Sequence, residues 1–202
     1  MQISKRNRRQ VLAGFAAAGC AALLPLRSEA MTQAQARSLI DRVMTDVHSI
    51  INSGGSESSL FSRFETLFDN YADVPIIARS ALGPPARAAS ASQMNAFTQA
   101  FRSYMARKYG RQFRRFIGAE AQVNEARTLQ NFWEVDTTMT LRGQAPFEVR
   151  WHVSDRSGSN RFFNIIIEGV NVLAAERQEI GSMLERRGGN LDRMIQDLQS
   201  AG

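Results

Sequence analysis

Alternating apolar and polar residues in the middle of the chain constrain its fold more than any other feature. Segments 131–142 and 146–154 each place apolar side chains at every second position, a period typical of a β-strand with one buried face. The apolar members are Trp133, Val135, Met139 and Leu141 in the first segment, and Phe147, Val149, Trp151 and Val153 in the second. A sheet built from such strands needs a second layer over its apolar face.

Two further segments, 120–129 and 161–170, have strand character and flank this pair. Turn residues at 142–144 and 155–159 are short enough to make consecutive strands antiparallel neighbours. The last strand is apolar on both faces, and strict alternation predicts that Phe163, Ile165 and Ile167 share one face. The sequence therefore predicts a four-stranded antiparallel sheet.

Helical spacing of apolar residues dominates the rest of the chain. The predicted helices cover about 32–52, 59–70, 76–81, 92–110 and the region from about 171 to the C-terminus. Helices before and after a one-faced sheet favour the α+β class, with a curved four-stranded sheet covered by helices.

The first 30 residues are typical of a secretory signal peptide rather than a membrane span. Basic residues precede an apolar run from Val11 to Leu24, which is shorter than a bilayer requires, and small residues precede a cleavage point at Met31. Arg8 and Arg9 favour the twin-arginine type, and an ordinary basic leader is the alternative. We therefore expect residues 31–202 to form a single exported domain.

The basic composition gives no argument for a nucleic-acid partner. Residues 1–30 carry five of the 25 Lys and Arg residues and one of the 19 Asp and Glu residues, which leaves 20 basic against 18 acidic, a net charge of +2. Cys20 is the only cysteine and lies in the predicted leader, so the exported chain would contain no thiol.

Enzyme and metal motifs are absent from the sequence. The two histidines, His48 and His152, have no second ligand at metal spacing, and there is neither a nucleophile elbow nor a phosphate-binding loop. We therefore predict no catalytic residue, no metal and no cofactor. Asp69 and Asp73 lie one helical turn apart, so a small enzyme that uses them as an acid-base pair is the alternative.

Two blocks of sequence resemble one family. The segment 165–177, IIIEGVNVLAAER, ends a strand with Glu-Gly-Val and begins a helix that finishes in Arg-Arg-Gly-Gly. The segment 64–118 combines DVPIIARSALG with QMNAFTQAFRSYMARKYG. The chain is identified on these motifs as similar to the MlaC family, periplasmic phospholipid-binding proteins also known as toluene-tolerance auxiliary transport proteins.

This resemblance implies a cone similar to nuclear transport factor 2 that encloses a hydrophobic lipid cavity. It implies a periplasmic carrier that moves phospholipid between an outer-membrane MlaA-type lipoprotein complex and the MlaD-type subunit of an inner-membrane ABC transporter, and so maintains outer-membrane lipid asymmetry. A hopanoid-type ligand is the alternative. The expected lipid-binding residues are Phe64, Leu67, Phe68, Tyr71, Phe97, Phe101, Tyr104, Met105, Trp133, Val135, Met139, Val149, Trp151, Phe163 and Ile165.

A group of basic residues follows the longest predicted helix. It comprises Arg102, Arg107, Lys108, Arg111, Arg114 and Arg115. A solvated helix face and a docking surface for lipid head groups or an acidic partner are both compatible with this pattern.

Overall fold

The computed structural model describes residues 30–113 and 116–202. The signal peptide predicted for residues 1–30 therefore falls almost wholly outside the described residues, as do Arg114 and Arg115.

Six α-helices form in the described part of the chain. They are α1 (Gln33–Asn52), α2 (Glu57–Tyr71), α3 (Val74–Leu82), α4 (Ala91–Phe113), α5 (Val172–Arg186) and α6 (Leu191–Ser200), with a short 3-10 helix at Pro84–Arg87. Side-chain caps set several starts: Thr32 forms a capping box with Gln35, and Asp73 accepts a hydrogen bond from the Ile76 amide. Across the described ranges, none of these helices has the length and apolarity needed to cross a membrane.

The sheet contains five strands in sequential order. They are β1 (Glu120–Leu129), β2 (Phe132–Thr140), β3 (Phe147–Ser154), β4 (Arg161–Ile167) and β5 (Val170–Asn171), and every neighbouring pair is antiparallel. The predicted α+β class and antiparallel order are confirmed. The predicted count of four was one too low, because the two-residue strand β5 turns back along the end of β4.

A β-bulge in β4 changes which aromatic residue faces inward. Trp151 pairs with Ile165, but Val153 pairs with Phe162, so Phe163 is an extra residue in the ladder. Phe162 packs edge-on against Trp151, with ring centroids 5.3 Å apart. Phe163 instead contacts Phe132 on the outer face. The prediction that Phe163 shares a face with Ile165 was therefore wrong, because strict alternation contains no bulge.

Helix α1 is attached to the edge strand by side chains that bind its backbone. Gln33 donates to the Ala126 carbonyl at 2.8 Å, and Arg37 donates to the Val123 carbonyl at 3.3 Å. As α1 runs from Gln33 to Arg37, its partners on β1 therefore move from Ala126 toward the first residue of that strand.

Part of the core around α4 is tightly packed, and we call this region the packed end. Phe97 and Phe101 of α4 are fully buried, and their ring centroids lie 5.6 Å apart. Arg107 donates to the carbonyls of Leu198 and Ala201, which fixes the C-terminal segment against α4. Other large, fully buried apolar side chains of the core include Leu39, Ile40, Ile180, Met194 and Leu198.

Truncation of the packed end should destabilise the fold strongly. We expect Phe101→Ala to lower the free energy of unfolding by about 3–5 kcal/mol, because the ring is fully buried and its removal leaves a cavity. Urea unfolding measures this change. Ile76→Ala is the control, since that side chain is 41% exposed and its loss should change stability by about 0.5 kcal/mol or less. Equal effects of the two substitutions would contradict this assignment of the core.

Candidate functional site: an apolar cavity between sheet and helices

A cavity of about 740 Å³ separates the inner face of the sheet from the helices. Its size falls within the range of about 300–1,000 Å³ that is common for small-molecule and cofactor sites. Most of its wall is apolar, so the site favours a hydrophobic ligand.

Each wall comes from a different part of the chain. The sheet contributes Val123, Met139, Phe147, Val149, Trp151, Phe162, Ile165 and Ile167; α1 contributes Val43, Met44, Val47 and Ile51; α2 contributes Phe64, Leu67 and Phe68; α4 contributes Met105, Ala106, Tyr109 and Gly110; α5 contributes Val172. Side chains of the sheet and of four helices therefore surround the volume.

Besides Tyr109 and Trp151, whose side chains are largely apolar, five polar or charged residues line the cavity. All five of them are exposed to solvent: Asp41, Thr45, His48, Gln112 and Glu120. The hydrogen bonds from Gln33 to Ala126 and from Arg37 to Val123 show that α1 runs toward the start of β1. Asp41, one turn farther along α1, therefore lies toward the end of the strand at which Glu120 is found. The site is therefore an apolar interior with a polar rim.

Close approach of α2 and α4 limits the cavity on one side. A Cβ atom at Gly110 would lie 2.8 Å from Cδ1 of Phe61 and 3.6 Å from Cδ2 of Phe64. Only glycine allows the ring of Phe61 to lie this close to the helix backbone. Gly110 thus sets the spacing of the two helices beside the cavity.

Eight of the fifteen side chains expected to bind lipid lie in the cavity wall. They are Phe64, Leu67, Phe68, Met105, Met139, Val149, Trp151 and Ile165. The structure brings these residues together from two helices and three strands, and their contact with lipid stays a prediction.

Three of the expected residues on α4 lie in the packed end instead. Phe97, Phe101 and Tyr104 are buried without lining the cavity, while Met105 and Tyr109 line it. The wide apolar stripe of α4 therefore covers two helix faces, of which one packs internally and the other faces the cavity.

The remaining four expected residues have structural contacts outside the cavity wall. The Tyr71 hydroxyl donates to Asp46 at 2.7 Å and joins α2 to α1, and this hydrogen bond raises the pKa of Tyr71. The Trp133 indole donates to the Met31 carbonyl at 2.9 Å. Val135 is fully buried, and Phe163 packs on the outer face.

Helix α1 supplies lining residues that the sequence reasoning did not assign to the site. Met44, Val47 and Ile51 are only partly buried although they belong to its apolar stripe. That stripe was visible in the sequence, but an amphipathic pattern does not distinguish a side chain that fills a core from one that faces a cavity.

A buried polar cluster joins α4 to α5 next to the wall. Glu176 is 1% exposed, and its Oε1 accepts from Lys108 Nζ at 2.7 Å and from the Tyr109 hydroxyl at 2.6 Å. Lys108 also donates to the Tyr104 hydroxyl at 2.9 Å. Because Tyr109 and Val172 line the cavity, this cluster fixes two of the elements that enclose it.

The surroundings of this cluster favour the protonated forms of its partners. Burial raises the pKa of Tyr109, and the hydrogen bond to Glu176 raises it further. Burial alone would lower the pKa of Lys108, but its hydrogen bonds to Glu176 and Tyr104 outweigh burial and raise it. Glu176 therefore meets a cationic ammonium and a neutral phenol at neutral pH.

The residues considered for catalysis have other partners. Asp69 pairs with Arg102 at 2.9 Å, while Asp73 caps α3 and donates its backbone amide to the Phe162 carbonyl at 2.8 Å. His152 lies on the outer face of the sheet, 2.9 Å from Glu134. No group of three or more potential metal ligands occurs in residues 30–113 and 116–202.

The expected basic surface is largely engaged in internal contacts. Arg102 binds Asp69, Arg107 binds carbonyls of the C-terminal segment, Lys108 binds Glu176, and Arg111 lies 3.4 Å from Glu57. The sequence did not show these contacts, because each acidic or carbonyl partner comes from a distant segment.

Comparison with known proteins places the chain in a family. The model of the family described as MlaC protein matches residues 38–200. The chain belongs to the MlaC family. A solved phospholipid-binding protein from Ralstonia solanacearum, in complex with a phospholipid, matches with a TM-score of 0.71 and 17% identity, over 82% of this chain and 95% of that one. At this identity the similarity establishes a shared fold, and this MlaC-family chain has the α+β architecture that the fold requires.

Stability should depend on the Glu176 cluster at neutral pH and lose that contribution in alkali. The raised folded-state pKa values of Tyr109 and Lys108 stabilise the fold below their unfolded values, near about 10 to 10.4, and the contribution disappears as pH rises further. We expect Glu176→Gln to lower the free energy of unfolding at pH 8 by about 1–3 kcal/mol.

Urea unfolding of the native and Glu176→Gln proteins, compared from about pH 8 to about pH 11, measures this dependence. The difference between the two proteins should narrow as pH rises. A difference that stays constant across this range would contradict a contribution from the protonated forms of Lys108 and Tyr109.

Proposed function

We propose that this protein is a non-enzymatic lipid carrier that binds the acyl chains of a phospholipid in the apolar cavity. The observation that supports it most directly is the separation of the site into an apolar interior and a polar, exposed rim. A phospholipid has the same division, so its tails match the interior and its head group matches the mouth. The phospholipid complex of the Ralstonia solanacearum protein of the same fold supports this choice of ligand.

Burial of one acyl chain supplies enough free energy for transport through water. At about 0.8 kcal/mol per buried CH₂ group, roughly 14 methylenes favour the cavity over water by about 11 kcal/mol. Spontaneous release into water is correspondingly slow. Delivery therefore requires an acceptor that offers the tails an equally apolar environment.

In this proposal the carrier works in the periplasm, between an outer-membrane MlaA-type lipoprotein complex and the MlaD-type subunit of an inner-membrane ABC transporter, and maintains outer-membrane lipid asymmetry. Membership of the MlaC family supports these partners. The basic, apolar and small-residue order of residues 1–30 supports export by a signal peptide of the twin-arginine type.

The carrier should retain lipid through purification. We expect mass spectrometry of an organic extract, made from protein purified from a bacterial periplasm, to show diacyl phospholipid at close to one molecule per protein. Polycyclic lipid in its place would assign a hopanoid-type ligand. A lipid-free protein that takes up no phospholipid from vesicles would contradict carriage of lipid.

Filling the cavity should exclude lipid while the fold survives. Val149 is buried in the wall, and we expect Val149→Trp to remove most of the bound lipid because the indole occupies the volume of the tails. The cost in unfolding free energy should stay at or below about 1–3 kcal/mol. Extracted lipid and the urea midpoint measure the two effects.

Glu148→Trp is the matched control, because Glu148 is the exposed neighbour of Val149 on the same strand. It should retain lipid. Unchanged lipid in Val149→Trp, together with a large loss of stability, would identify Val149 as ordinary core.

A further inference from the structure

The outer face of the sheet carries a hydrogen-bonded chain that ends at the cavity wall. Asn164 is 7% exposed, and its Oδ1 accepts from the backbone amide of Ile165 at 2.9 Å and from that of Leu173 at 3.3 Å. Ile165 lines the cavity, and Leu173 directly follows the lining residue Val172. One amide oxygen therefore joins strand β4 to the first turn of α5, at two positions that flank the wall.

The orientation of the Asn164 amide determines the state of the neighbouring histidine. Because Oδ1 receives two backbone donors, Nδ2 faces His152 and lies 3.3 Å from its Nδ1. The opposite ring nitrogen, Nε2, lies 2.9 Å from Oε2 of Glu134 and donates to that carboxylate. These two contacts match an imidazole that carries a proton on Nε2 and accepts at Nδ1.

The charges around His152 come from three strands. Glu134 of β2 is 3% exposed; it binds Arg127 of β1, and its Oε2 lies 3.9 Å from Arg150 of β3. Burial alone would raise the pKa of Glu134, but hydrogen bonds from His152 and Arg127 outweigh burial and lower it. Asp136 of β2 binds Arg127 at 3.0 Å.

His152 also contacts two aromatic rings. Its ring centroid lies 4.7 Å from that of Phe132 and 5.8 Å from that of Phe163. A proton added to His152 is therefore attracted by Glu134 and opposed by Arg127 and Arg150. The hydrogen bond that this proton alters is the one between Nδ1 of His152 and Nδ2 of Asn164.

Protonation at Nδ1 would bring two donors face to face. An N–H of His152 would oppose the NH₂ group of Asn164, since neither nitrogen then has a lone pair to accept with. Rotation of the amide by half a turn relieves the conflict, because it presents Oδ1 to His152. The same rotation turns the NH₂ group toward the amides of Ile165 and Leu173, which lose their acceptor. A protonated His152 therefore competes with the backbone amides of Ile165 and Leu173 for one acceptor, Oδ1 of Asn164.

We propose that Asn164 is a positioning residue for the cavity wall and that His152 sets its orientation, so that the protein holds lipid tightly when the imidazole is neutral and releases it faster when the imidazole is protonated. This inference rests on the proposed lipid carriage. It adds a proton-linked control, because histidine changes charge within the range of about pH 5 to 8.

The lipid arm of the test measures release of a pyrene-labelled phosphatidylethanolamine from the full-length exported protein into phosphatidylcholine vesicles. His48 at the cavity rim is left unchanged in every variant, so any pH response that it contributes is common to all of them. We expect release to be about fivefold or more faster at about pH 5 than at about pH 8.

Three substitutions separate positioning from a merely structural role. His152→Gln offers the same acceptor and donor as neutral histidine and is not protonated in this range, so release should be slow at both pH values. Asn164→Asp supplies one oxygen for the backbone amides and a second for a protonated His152, so release should again be slow and independent of pH. Asn164→Leu removes the attachment, so release should be fast at both pH values while the protein still melts cooperatively.

The second arm follows hydrogen exchange of the Leu173 amide by NMR and needs no lipid. Exchange should accelerate as the His152 ring signals titrate in the native protein, and should not change with that titration in Asn164→Asp. A protein that binds the labelled lipid at no pH overturns the proposed function. A pH-independent release by the native protein, a native-like pH dependence in His152→Gln or Asn164→Asp, or unchanged Leu173 exchange overturns this inference alone.

Discussion

Attachment of α1 to the edge of the sheet is the constraint on which the cavity depends. Gln33 and Arg37 bind backbone carbonyls of β1, and these bonds fix the direction of the helix independently of apolar packing. The buried residues of α1 are Ala36, Leu39, Ile40 and Val43, whereas Met44, Val47 and Ile51 farther along the helix are only partly buried. The part of α1 that follows Val43 therefore lines the cavity instead of filling a core.

One part of the interior is consequently packed and stabilises the fold, and another part is left open as the cavity. Protein interiors normally reach the packing density of organic crystals, so a cavity of this size requires elements that are held apart by contacts elsewhere. Helix α4 shows the division within one element: Phe97 and Phe101 are fully buried, whereas Met105 and Tyr109 form cavity wall. The packed end fixes the helices, and their extension beyond it leaves space for a ligand.

Local patterns in the sequence predicted the fold class, the order of the four long strands and the approximate positions of the helices, because each depends on a period within one segment. They did not predict which part of an apolar stripe faces the cavity. Phe97 and Met105 are alike in the stripe, and only the neighbouring helices distinguish them. Phe162 faces inward in place of Phe163 because of one bulge in β4, and a strictly alternating pattern includes no bulge.

Polar groups beside the cavity were equally invisible to the sequence, and the reason is physical. Glu176 meets Lys108 from 68 positions away, and Asn164 meets the Leu173 amide across a turn. Where a cavity replaces apolar packing, fewer side chains fix the relative positions of helix and strand. Buried hydrogen bonds then fix the relative positions of helix and strand, since an unpaired buried donor or acceptor destabilises every alternative arrangement. The polar contacts of α5 thus fix its position relative to α4 and β4, where the cavity interrupts the apolar core.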